Sequence, residues 1–363
     1  MKMQIAIHSY FAVLCCVSCV FSITISPCAK WNTNGITVAG NGVSGNTPRQ
    51  LSYPQGIFVH DKTKLLYVSD SYNGRIQVFP LDRSTTTGTT LLPHLNQGFK
   101  IYVDDDNETN PSIYIAMNGA NRVEKWIKGA THGIPIGDYC AGCTGVWLDG
   151  EKNVYMTEHN RNRILKWSRS TNITTVVAGE ADTKDPRADH LSEPEGIVVD
   201  KTTSALYIAD LTNHRIQKWP KGAQEGVTVA GSSDGDPGSD AKSLERPYGL
   251  RFDEETKTLY VVDLMNNRIQ RWKHGATEGE TIAGGNGQGS GKNQFYHPTD
   301  LDFDKDGNLY VCEAWNHRIQ FFALIDNQPC SGPSTSTVSS SIRRLPTDLF
   351  TILFVIAMTI KLF

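Results

Sequence analysis

Short apolar runs of four or five residues recur along the chain, each ended by Gly, Asn, Pro or Asp. In one stretch residues 196–200 read GIVVD, 206–210 LYIAD, 215–219 RIQKW and 227–231 VTVAG. Such runs are rich in β-branched and aromatic residues. They are too short and too often interrupted for helices, so they predict strands. Strands apolar on both faces must be covered on both faces.

The four-run unit repeats. Its RIQKW core, or a close relative, starts at Arg75, Arg122, Arg163, Arg215, Arg268 and Arg318, at spacings of 47, 41, 52, 53 and 50 residues. Tyr stands eight residues earlier in every copy (Tyr67, Tyr114, Tyr155, Tyr207, Tyr260, Tyr310). An aromatic stands four residues later (Phe79, Trp126, Trp167, Trp219, Trp272, Phe322). An acid stands five residues before the Arg in five copies (Asp70, Glu158, Asp210, Asp263, Glu313), and Met117 takes its place in the second. Four strands and about fifty residues per unit predict an all-β, six-bladed β-propeller.

Its closure is also legible. The last copy has strands at 299–303, 309–312 and 318–322 but no VAG strand after them, whereas residues 36–40 read ITVAG ahead of the first copy. We expect this N-terminal strand to complete the last blade, which leaves no long edge exposed. Cys28 and Cys330 flank the junction. A disulfide between them would tie it and add about 4–5 kcal/mol by the chain-entropy account.

The succession Pro-x-Gly-Ile-x-x-Asp, Leu-Tyr-Val-x-Asp, Asn-x-Arg-Ile-Gln-x-Trp and Thr-Val-Ala-Gly resembles the NHL-repeat family over residues 31–326. The resemblance implies the six-bladed fold but no single activity. NHL propellers serve as protein-binding modules, RNA-binding surfaces, receptor sensor domains and, in one case, an amidating lyase. That lyase holds zinc with His beside Pro in the Pro-x-Gly turns. Here the x positions are Gln55, Glu195, Tyr248 and Thr299, and His297 lies one position out of register. The zinc triad does not carry over.

Composition narrows the setting. Bases (35) and acids (38) are evenly mixed, with a net charge of −3, so no phosphate-coating surface and no nucleic-acid partner are expected. Lys2 and the apolar run 5–21 read as a secretory signal peptide, residues 1–26, cleaved near Ser22 or Ser26. The propeller is assigned to 27–330. A Ser/Thr-rich linker (331–348) and an apolar tail (349–363) follow. The tail is shorter than the roughly 20 residues a spanning helix needs. Its order matches a GPI-anchor signal with attachment at Ser339, Ser340 or Ser341, and a short tail anchor is the competing reading. Secretion makes Asn107 and Asn172, each in an N-x-Thr sequon, candidate glycosylation sites. It also makes Cys140 and Cys143 a small structural disulfide, with Cys312 a buried free thiol.

The acid–Arg pair recurs in nearly every blade and spans a turn, so it reads as structural. The Tyr and Trp ladders read as fillers between blades. Residues 304–308 (DKDGN) resemble the start of a calcium loop but lack its distant Glu, so they read as a turn. Glu195 and Asp300 are oxygen donors that leave a calcium ion open at the channel mouth; no other cofactor is expected.

In an up-and-down blade the turn between strands two and three shares a face with the inter-blade connection. That face gathers the loops 41–53, 180–193, 232–246 and 285–297 and the tips Tyr72, His159, His214, Asn267, Trp315 and His317. With Gln55, Glu195, Tyr248 and Thr299 these are the candidate ligand contacts. No catalytic residue is assigned. The expected function is a secreted or cell-surface scaffold that recognises a protein or glycan, held to the membrane by a lipid anchor or short tail. The alternative is a metal-dependent hydrolase or lyase acting at the central channel.

Overall fold

A computed structural model describes residues 24–104, 110–180 and 184–330. The chain divides into a unit ending at Gln328 and a second beginning at Pro329, in which only Pro329 and Cys330 are described. Residues 1–23 of the expected signal peptide, Asn107, the linker and the apolar tail lie outside the described residues. No helix among the described residues is long and apolar enough to cross a membrane.

The first unit is a six-bladed propeller built from antiparallel four-stranded sheets. Blade I runs outward from Gly56–His60 through Leu65–Asp70 and Arg75–Pro80 to Thr89–Leu92. Blades II to V span 98–136, 143–178, 194–231 and 247–284. Blade VI has Pro298–Phe303, Leu309–Glu313 and Arg318–Phe322, and its outer strand is Ile36–Gly40. Ile36 pairs with Phe321 and Gly40 with Arg318, so the ring closes by the N-terminal strand as expected.

Six buried apolar clusters occupy the six seams between blades. Each seam takes the repeat Tyr from one blade and the repeat aromatic from the next: Tyr67 meets Trp126 between I and II, and Tyr207 meets Trp272 between IV and V. The second strands are buried along their whole length in blades III to VI, including the acid that ends each one. Each large side chain buried this way contributes about 1.5–3 kcal/mol.

The Ala-Gly that ends the fourth strands has a steric cause. Gly231 takes φ 81°, and a Cβ there would lie 2.4 Å from the carbonyl oxygen of His214. Only glycine fits both demands.

Packing begins upstream of residue 27. Ile25, Ala29 and Trp31 are buried in the V–VI seam. Lys30–Trp31 pairs with Leu324–Asp326, and the Ser26 N–H donates to Asn327 Oδ1 at 2.8 Å.

Candidate functional site

On the loop-bearing face four blades share one construction. Asp70, Asp210, Asp263 and Glu313 end their second strands fully buried. Arg75, Arg215, Arg268 and Arg318 open the third strands and donate Nε–H to these carboxylates at 2.7–2.8 Å. The other guanidinium N–H groups fan out to carbonyls of the loop ahead of the same blade. Arg75 reaches Asn46, Thr47 and Gln50; Arg268 reaches Ser239, Asp240 and Ser243. Arg215 and Arg318 do the same for loops 180–193 and 285–297. Asn73, Asn213, Asn266 and Asn316 each bridge the carboxylate to one more loop carbonyl. A long loop carries many carbonyls that need donors, and guanidinium offers five in a fixed fork. Burial pushes Asp210 up to about 6, against the pull of Arg215.

Blades II and III depart from this plan. Their incoming connections, 93–97 and 137–142, are short. In blade II Met117 replaces the acid and Arg122 turns to Glu124. In blade III Arg163 pairs with Glu158 but holds no loop carbonyl among the described residues.

A second repeated contact latches each blade to the next. The left-handed residue ending each turn accepts a backbone N–H from the next blade's entry. Asn121 takes Gly142, Asn162 takes Glu193, His214 takes Arg246, Asn267 takes His297 and His317 takes Tyr53, at 2.7–3.2 Å. Blade I has Gly74 at this position and no side chain to offer. For His214 and His317 the acceptor is Nδ1, which must be unprotonated to serve. Burial holds both imidazoles below their ordinary range.

The channel is filled from its own walls. Gly56, Gly145, Gly196 and Gly249 line its narrow level, where a Cβ would lie 2.4–2.7 Å from a carbonyl oxygen of the next blade. Blades II and VI carry Lys100 and Asp300 there instead. Lys100 Nζ lies 3.0 Å from Asp300 Oδ1 and donates to the Thr299 carbonyl at 2.5 Å. Asp300 Oδ2 accepts the Ile57 N–H at 3.0 Å. Burial draws the Lys100 ammonium down, and Asp300 opposes it. Deeper in, Arg251 donates to Asp302 at 3.0 Å and lies over the Trp147 ring. Toward the loop face the Tyr248 phenol donates to Gln55 Oε1 at 3.2 Å. The cavity left among these side chains is about 10 Å³, room for roughly one water.

At the mouth His159 Nδ1 stands 3.0 Å from Glu195 Oε1, joining blades III and IV. Burial opposes the charge on His159, but the bond to Glu195 and its negative charge outweigh this and raise the imidazole. Among the described residues no three His, Cys, Asp or Glu side chains converge as a metal-binding set. A calcium ion between Glu195 and Asp300 would have to displace Lys100 from Asp300.

The open chemistry of the face lies elsewhere, along the seam of blades VI and I. Tyr53 meets Tyr72 at 4.5 Å, His317 at 4.7 Å and Trp315 at 5.8 Å between ring centroids, all edge to face. Trp315 leans on Tyr296 at 5.2 Å and His297 at 5.1 Å. Tyr72 and Trp315 expose 64% and 46% of their surface, and Met265 at the same turn position of blade V exposes 40%. In blades II, III and IV that position holds Gly119, Asn160 and Thr212.

The NHL-repeat pattern matches residues 51–79 and 295–322, the two blades that meet at this closing seam. The chain carries NHL repeats in a six-bladed β-propeller. It is 22% identical over 316 residues to NHL repeat-containing protein 2 of Gallus gallus, covering 80% of this chain and 42% of that protein. The chain spans less than half the length of the curated relatives it matches. Among solved structures it resembles an auxiliary nutrient binding protein from Bacteroides thetaiotaomicron (TM-score 0.63, 15% identity, 80% of this chain and 76% of that one). It also resembles a gluconolactonase from Xanthomonas campestris (TM-score 0.58, 11% identity, 80% and 89%). Likeness at these identities establishes the fold alone.

In the NHL propeller the expected contacts fall into three groups. Tyr72, Trp315 and His317 come together in the ring cluster. His214, Asn267 and His317 spend an acceptor on inter-blade latches. Gln55, Glu195, Tyr248 and Thr299 gather at the channel mouth, where Tyr248 bonds Gln55 and Thr299 Oγ1 donates to the Pro54 carbonyl at 3.3 Å. Cys140 and Cys143 are joined, Cys28 and Cys330 are each disulfide-bonded, and Cys312 is free and buried. Asn172 is exposed at a tight turn, its Oδ1 accepting from Trp167 Nε1. The sequence reading missed Lys100, Arg251, Tyr53 and Tyr296. Lys100 and Asp300 carried a signal, since they take the place of Gly in the repeat.

Proposed function

We propose that this NHL propeller is a secreted or cell-surface binding scaffold that recognises a protein or glycan through its loop-bearing face. The observation that carries the reading is the contrast between a channel filled by Lys100, Asp300, Arg251 and Tyr248 and a face that leaves Tyr72 and Trp315 open. The nutrient-binding name of a solved propeller of the same fold supports it. Rigid loops held by buried arginines suit recognition, because little ordering remains to be done on binding. In this proposal the apolar tail supplies a lipid or short membrane anchor, and nucleic acid is not a partner.

Proximity crosslinking on living cells, comparing the wild-type chain with a Tyr72→Ser, Trp315→Ser double variant, tests the reading. A partner captured by the wild type and lost with the variant supports it. Equal capture by both, or none, overturns it. The second reading is a metal-dependent hydrolase or lyase at the channel, favoured by the His159–Glu195 pair beside Tyr248. Calcium, magnesium and zinc titrations followed by thermal shift test that reading. Stabilisation abolished by Glu195→Gln but kept in the ring variant would support it.

A further inference from the structure

The rings at the VI–I seam form a connected file: Tyr72, Tyr53, Trp315 and Tyr296 succeed one another at 4.5, 5.8 and 5.2 Å, with His317 against Tyr53 and His297 against both Trp315 and Tyr296. Edge-to-face and tilted packing fixes each ring against its neighbour, so the file is ordered before any ligand arrives.

The polar handles of the file are unused. Trp31, Trp126, Trp167 and Trp219 donate their Nε1–H to Gly307, Glu124, Asn172 and Ala223 at 2.8–3.0 Å, while Trp147 and Trp272 have no partner but keep the nitrogen buried. Trp315 Nε1 and the phenols of Tyr53, Tyr72 and Tyr296 make no hydrogen bond among the described residues. The flanking loops 41–53 and 285–297 add Asn41, Asn46 and Asn293, all exposed.

The file carries little charge. Asp70, near His317, is buried and paired with Arg75. Arg246, near His297, is drawn toward Glu193 at 3.7 Å. Both imidazoles are held below their ordinary range by burial. A fitting occupant therefore has apolar ring faces, hydroxyl edges and no net charge.

Resting on the reading of this face as a binding surface, we infer that the ring file binds a neutral oligosaccharide, with pyranose faces stacked on Trp315 and Tyr72 and hydroxyls meeting the free phenols and indole. A protein hot spot would instead cluster its aromatics at a centre sealed by a surrounding rim.

The test is an array of neutral and acidic oligosaccharides probed with the full chain, followed by calorimetric titration of the best neutral hit. Trp315→Ala and Tyr72→Ala should each weaken binding about tenfold or more, and Trp315→Tyr should retain most of it. Both alanine variants should keep a single cooperative unfolding transition, because Tyr72 is mostly exposed and Trp315 lies at the surface. No neutral hit, or a hit indifferent to both substitutions, overturns the inference. If crosslinked protein capture on the same face is then still lost with the ring variants, only the glycan assignment falls. If capture is also unchanged, the face reading falls with it.

Discussion

Blades IV, V, VI and I on one side of the ring, and blades II and III on the other, are built from one repeat and differ in one respect. The first four receive long loops, and in each an Arg on a buried acid collects the loop's carbonyls. Blades II and III receive short connections and gather none. In blade II the acid itself gives way to Met117, while blade III keeps Glu158. The acid–Arg pair is thus less a brace between strands than an anchor for the loop that crosses it. What travels with the loop is the Arg's hold on its carbonyls, since blade III keeps the Glu158–Arg163 pair without a long loop. The exposed rings lie on the anchored side, where the loops are held most firmly.

The sharpest way to break this comparison is to cut one anchor on each side. Arg215→Met leaves Asp210 buried without its partner and should cost about 3–5 kcal/mol. Arg122→Met, whose side chain is 46% exposed, should cost under about 1 kcal/mol. Equal losses in chemical denaturation would sink the loop-anchor account.

The channel bridge gives the next largest effect. It puts a buried charge on the side that lacks anchors. Lys100→Met alone should cost somewhat less than Arg215→Met, since Asp300 is left with only Arg251 at 3.9 Å. Adding Asp300→Asn should recover most of the loss. If the double variant is no better than the single, the bridge is not what Lys100 contributes.

The smallest effect distinguishes the histidine latches from the asparagine ones. His214 and His317 are held below their unfolded values by burial, so the unfolded chain binds more protons in the window between the two. Their contribution is complete above the ordinary imidazole range and is lost as pH falls through the lowered values. Facing charges are Glu245, Arg246 and Asp236 for His214 and Asp70 for His317. His214→Asn with His317→Asn copies the latch of Asn162 and Asn267. It should flatten the fall in thermal midpoint between neutral and mildly acid pH. An unchanged slope would assign that fall to other groups.

Much of this was legible in the chain. Six in-phase copies of one pattern fix the blades, and the displaced ITVAG run fixes the closure, because strand partners follow from the repeat. The acid–Arg pairing was legible too, but its purpose was not. Arg75 reaches carbonyls 25 to 29 residues upstream, and a backbone carbonyl has no letter in a sequence. The ring file was half legible: Tyr72 and Trp315 stand at turn tips. Tyr53 and Tyr296 sit in entry segments whose course depends on the latches, so their meeting with the tips could not be read.

The closing strand has a consequence for synthesis. Residues 36–40 emerge early, yet their partner, Arg318–Phe322, is made nearly 280 residues later. At the usual pace of translation this edge waits on the order of 15–60 seconds with its ladder groups unpaired. Five blades can stack in turn as they are made. The sixth is finished only when both halves of it have left the ribosome. A nascent chain caught in that interval offers an open strand to any neighbour in the same state, so exchange of the N-terminal strand between two chains is the misassembly this architecture most invites.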